Sequence, residues 1–166
     1  GLSCIESVTL RTSGTPVGGC ELHVVDRDGP DQRGVPRDVI VAFQADAPSA
    51  GQFPTVTVTK EPLARPVASE AYSAASVESV KGLPGFAEID QRDVVIDDVP
   101  LKLHIYSAQP RPDEPKTRFY QVSAASGPAG YTYTAAIPLS PDSGLENQIL
   151  LILGNATMRK AAETKK

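Results

Sequence analysis

Residues 100–107 read PLKLHIYS, in which Leu101, Leu103 and Ile105 alternate with Lys102, His104 and Tyr106. A period of two is the signature of an extended chain with one buried side, and no helix can place those three apolar residues on one face. The preceding run, RDVVI at 92–96, is rich in β-branched residues, and Asp97-Asp98 between the two is a tight-turn pair. Together they predict a hairpin with Leu101, Leu103 and Ile105 inward and Lys102, His104 and Tyr106 outward. Composition points the same way: Val (16) outnumbers Leu (12), and 13 Gly and 15 Pro supply turns. A β-rich domain is expected.

Further strands follow from the same reasoning. Residues 38–45 carry Val39, Ile40, Val41 and Phe43. Residues 55–59 alternate Thr and Val, so Val56 and Val58 share a face, and Pro62 and Pro66 end that stretch. Residues 86–89 form a short strand, and 118–125 and 131–137 form a second hairpin around the five-residue break SGPAG. Towards the N-terminus, strands are expected at 5–12 and 21–26, followed by a polar loop at 27–36. The proline-rich segment 109–116 is a solvated loop.

Two helices complete the pattern. Ser69 is an N-cap with Glu70 in the first turn, and the Ala-rich run to Lys81 ends at Gly82 and Pro84, with Ala74, Val77 and Val80 on its apolar face. The second, over 145–158, follows Ser140-Pro141, with Ser143 and Glu146 as a capping box and Leu145, Ile149, Ile152 and Leu153 at helical spacing. Residues 159–166 form a cationic, flexible tail. At 166 residues the chain fits one domain, with the placement of 1–36 left open.

A net charge of −4 offers no basic field for phosphates, and five Tyr and four Phe with no Trp give few stacking platforms, so nucleic acid is not an expected partner. The longest apolar run, around Ile149 to Leu153, falls far short of the ~20 residues that span a bilayer. The sequence begins at Gly1, so a signal peptide or lipid anchor upstream would not be visible in it, and peripheral membrane association is expected only through such an anchor. Cys4 and Cys20 are either a single disulfide or two quiet thiols.

Motifs of common chemistry are missing: there is no G-x-S-x-G, no phosphate-binding G-x-x-x-x-G-K-[ST], no H-E-x-x-H and no dinucleotide glycine pattern. Asp26, Asp28 and Asp31 lie in DRDGPD, but Gly29 falls at the fourth place instead of the sixth and Arg37 occupies the twelfth, so a solvated turn is favoured over a calcium loop. His23 and His104 each lie in a strand as surface residues without an evident catalytic partner. Asn155-Ala156-Thr157 matches a glycosylation sequon by chance. No cofactor, metal site or catalytic residue is expected.

Between Phe53 and Ile137, FPTVTVTKEPL, VKGLPGFAEID, DVVIDDVPLKLHIY, RFYQVS and GYTYTAA occur in that order. Over about half the chain this resembles the PsbP-like fold, and within it the bacterial DcrB and LpqN families, with Asp97-Asp98 standing where those families carry Gly. The resemblance implies an α+β fold, a mostly antiparallel β-sheet flanked by two helices in an α/β/α sandwich. It also implies a non-enzymatic binding or accessory protein, since these families share no catalytic constellation. Members are mostly cell-envelope lipoproteins, which points to an envelope or secreted location, and a related group are cytoplasmic chaperones for secreted toxins. A small hydrolase is the rival from another class. The expected partner is a protein. The expected contact residues are Lys102, His104 and Tyr106 on one hairpin with Arg118 and Tyr120 on the other, because exposed aromatics with cations are the composition of interface centres.

Overall fold

The computed structural model describes residues 38–157. The expected strands at 5–12 and 21–26, Cys4, Cys20, His23, the DRDGPD loop and the 159–166 tail lie outside those residues.

Six strands form one antiparallel sheet: β1 (Asp38–Gln44), β2 (Thr55–Pro62), β3 (Ala87–Ile96), β4 (Val99–Ala108), β5 (Thr117–Ser126) and β6 (Ala129–Pro138), in spatial order β1-β2-β6-β5-β4-β3. Helix α1 (Ser69–Val80) follows β2, and helix α2 (Ser143–Gly154) follows β6. The architecture is α+β, as expected. The short strand foreseen at 86–89 and the one at 92–96 are a single strand, β3, with an irregularity between Glu88 and Asp90. Asp97 and Asp98 both adopt positive φ, 53° and 65°, the left-handed pair a two-residue hairpin turn of the primed kind requires and one that Asp tolerates. The break at 126–130 closes to a two-residue turn, because Ser126 already pairs with Ala129 and only Gly127, at φ 58°, and Pro128 remain outside the ladder.

The sheet divides the interior in two. On one face Val56, Val58, Leu101, Leu103, Ile105, Tyr120, Val122, Tyr133, Ala135 and Ile137 form a continuous apolar cluster with Ile149 and Leu153 of α2. Burying a Leu or Ile side chain contributes about 1.5–3 kcal/mol, so this face supplies most of the apolar stabilisation. α2 starts one step away from the expected capping box: Asp142, not Ser140 or Ser143, is its N-cap, and its side chain accepts from the Leu145 N–H at 2.7 Å. Its end is also earlier, at Gly154 with Asn155 as C-cap.

On the other face lies α1, whose buried side is Tyr72, Ser73, Ser76, Val77 and Val80. Ala74, expected on that side, is exposed. Hydroxyls do the docking instead. The β4–β5 ladder stops at Leu103 and Val122, and beyond it Ser69 Oγ donates to the Ala125 carbonyl at 2.7 Å and accepts from its N–H at 3.1 Å, while Ser73 Oγ accepts from the Lys102 N–H at 3.2 Å. Ser69, expected as the N-cap, is therefore the first helical residue, and Ala68 holds the cap position without a side-chain bond. Tyr72 donates from its hydroxyl to the buried Glu61 at 2.7 Å, and its ring lies against Gly130, where a Cβ would stand 2.2 Å from Cζ. Only glycine permits that approach.

Candidate functional site

Alternation in β4 puts Lys102, His104 and Tyr106 on the α1 face, opposite Leu101, Leu103 and Ile105, as the sequence predicts. Their exposure is otherwise. His104 is fully buried and Tyr106 is 3% exposed, beneath α1 and the segment that follows it, while Lys102 alone reaches solvent and pairs with Asp93. The cause is simple: the face opposite the main apolar cluster is the floor beneath a second helix.

Arg118 and Tyr120 do not join them. In the register of β4 and β5, His104 pairs with Gln121 and Tyr106 with Phe119, whereas Tyr120 pairs with Ile105 and Arg118 with Ser107. Paired residues share a face, so Arg118 and Tyr120 project on the α2 side. The expected five-residue contact surface is thus two separate groups on opposite faces of the sheet, and Tyr120 is fully buried.

Under α1 the group is aromatic. The His104 ring lies 4.9 Å from that of Tyr106 and 6.1 Å from that of Phe86, and Tyr106 stacks on Phe119 at 5.2 Å. Tyr106 donates from its hydroxyl to Gln121 Oε1 at 3.0 Å. His104 Nε2 stands 3.3 Å from Glu88 Oε2, and the buried Nδ1 has no hydrogen-bond partner. Burial pushes the imidazole pKa down, with the Glu88 carboxylate opposing and the Lys81 ammonium assisting.

Under the start of α2 the group is polar and partly solvated. Tyr120 donates from its hydroxyl to Glu146 Oε1 at 2.8 Å and accepts from Arg118 Nη1 at 3.4 Å, with Arg118 and Glu146 4.0 Å apart. Burial raises the Tyr120 pKa first, and the Arg118 bond works against it. Farther along α2, a shallow groove of about 210 Å³ opens beside β3, floored by Val94, Leu103, Val122, Leu150 and Leu153 and bordered by Arg92. Arg92 is held by Asp90 at 2.6 Å, and Leu151 on the outer side of α2 is 65% exposed.

Among the described residues no three His, Cys, Asp or Glu side chains gather as a metal site would need, and no helix is long and apolar enough to cross a membrane. Sequence reasoning missed Glu88, Phe119, Gln121 and Glu146 as neighbours of the expected residues. RFYQVS alternates too weakly in polarity to fix the parity of β5, which only the ladder with β4 decides.

No family model matches the chain, and no curated protein matches it either. Among solved structures it is similar to PA94 of Pseudomonas aeruginosa, described as a protein of unknown function and candidate regulator, at 19% identity and a TM-score of 0.60, over 86% of this chain and 99% of that one. The likeness is one of fold.

Proposed function

We propose that the chain is a non-enzymatic binding or accessory protein of a bacterial cell envelope, built on the PsbP-like plan of the DcrB and LpqN families. The observation that supports this reading is the groove between α2 and β3: an apolar floor of Val94, Leu103, Val122, Leu150 and Leu153, a charged border at Arg92, and the exposed Leu151 on the adjoining helix surface. Apolar centre and polar rim with an Arg is the composition of a protein-contact surface. The description of PA94 as a candidate regulator is compatible with an accessory role.

The test is site-specific photocrosslinking in cells producing the full-length gene product, with a photoreactive residue at Leu150 or Arg92 in the groove and, as control, at the exposed Ala74 on the opposite helix. The reading expects one discrete protein adduct, recovered in the envelope fraction, from the groove positions only. The same adduct in the cytosol would favour the chaperone reading instead. Equal labelling at Ala74, or none anywhere, would contradict a binding groove, and substrate turnover abolished by His104→Ala would favour the hydrolase.

A further inference from the structure

We propose that His104 is a proton-sensitive latch which holds the C-terminal half of α1 and the following 81–86 segment on the sheet at neutral pH and releases them on acidification. Three geometric facts carry this. His104 is fully buried, its Nδ1 has no hydrogen-bond partner, and its Nε2 meets only the half-exposed Glu88 carboxylate, at 3.3 Å. It contributes to a small aromatic patch, Phe86, His104, Tyr106 and Phe119, that closes with Val80 and Ala108 a cluster distinct from the main apolar core. And the element covering it, α1, docks through few apolar side chains.

A neutral imidazole suits this position. With its proton on Nε2 it faces the Glu88 carboxylate at 3.3 Å, and the bare, unpartnered Nδ1 costs less to bury than a charge would. A second proton makes Nδ1 a donor with no acceptor and adds a charge where water is excluded, which is costly. The neighbours on every side do not cancel that cost. Glu88 on β3 and Glu78 on α1 attract an imidazolium, Lys81 at the end of α1 repels it, and Tyr106 on β4 and Gln121 on β5 are already bonded to each other. Burial is the largest influence on the group and it favours the neutral form. The unfolded or opened chain, with an ordinary histidine near pH 6.5, therefore takes up the proton first. Stability from this site is complete above that pH and is lost as the pH falls below it.

Because the patch under α1 is separate from the main cluster, its opening leaves the α2 side of the sheet packed. What is uncovered is an aromatic surface on the centre of the sheet, Tyr106 and Phe119, available below but not above the transition. This device is independent of the groove beside α2, so failure of either leaves the other standing.

Hydrogen exchange of the full chain at pH 7.5 and 5.5, corrected for intrinsic rates, tests it. The latch expects α1 amides to lose protection several-fold more than those of β5 and β6 on acidification, up to about tenfold, the ratio of charged to neutral imidazole in an ordinary histidine one pH unit below its pKa. His104→Phe, which cannot take a proton, keeps α1 protected at both pH values. Should His104→Phe not fold, Glu88→Gln serves: it removes the attracting carboxylate at a half-exposed position, so the folded form resists the proton more and the acid loss of α1 protection runs deeper. Protection of α1 that does not change with pH relative to the strands would overturn the latch. So would an equal acid loss in His104→Phe, or a shallower acid loss in Glu88→Gln.

Discussion

Beneath α2 the central strands present Leu101, Leu103, Ile105, Val122, Ala135 and Ile137; beneath α1 the same strands present His104, Tyr106, Gln121, Ser123 and Thr132. One helix is held by area removed from water, the other by directed bonds that join Ser69, Ser73 and Tyr72 to groups on three different strands: Ala125, Lys102 and Glu61. Hydrophobic burial tolerates small displacements, whereas a hydrogen bond lost in the interior leaves its partner unpaired and costs about 1–3 kcal/mol. The two sides of one sheet should therefore fail differently.

The largest expected effect is on the α2 side. Leu153 is 2% exposed in the main cluster, and Leu153→Ala should destabilise the domain by about 2–5 kcal/mol in denaturant unfolding, through lost transfer energy and a cavity. Next comes overpacking beneath α1. Gly130→Ala places a methyl against the Tyr72 ring, whose hydroxyl is tied to Glu61, and should cost about 1–3 kcal/mol. The same substitution in a Tyr72→Leu background should cost less, and a double-mutant cycle that found no coupling would show the contact to be slack.

A pH effect of intermediate size distinguishes the faces further. Burial pushes the Tyr133 phenol up to about 12, and its hydroxyl donates to the Thr157 carbonyl at 3.0 Å. The native state thus keeps a proton that an unfolded tyrosine releases near pH 10, and stability is complete below about pH 10 and falls as the pH rises towards the native value. Melting temperatures between about pH 9.5 and 11.5 should fall less steeply in Tyr133→Phe than in the parent. Smallest of all is Lys102→Ala, which removes an exposed partner of Asp93 and should change the unfolding free energy by about 0.5 kcal/mol or less.

How far the sequence could be read follows the same division. Strict alternation in PLKLHIYS, the Thr-Val repeat of β2 and the helical spacing of Ile149 and Leu153 all describe the apolar face, and each holds in the structure. The α1 face resisted reading because its contacts are made by serines, a tyrosine and a glycine, residues that carry no periodic hydrophobic signal. Ser73 and Ser76 sit where an apolar stripe would be sought, so the eye moves to Ala74, which is outside. His104 and Tyr106 looked like surface residues for the same reason: polarity in one strand says which face differs from the apolar one, not whether another element covers it.

The central claim is that the α1 side is a separable unit held by hydroxyl bonds, and native-state hydrogen exchange at neutral pH under low denaturant tests it most directly. The account predicts that α1 amides exchange through an opening of lower free energy than amides of β5 and β6, and that Ser69→Ala, which strips both backbone groups of Ala125 of their partner, lowers the α1 opening energy while leaving the strands' largely in place. Identical opening energies for α1 and the central strands, falling together in Ser69→Ala, would contradict it.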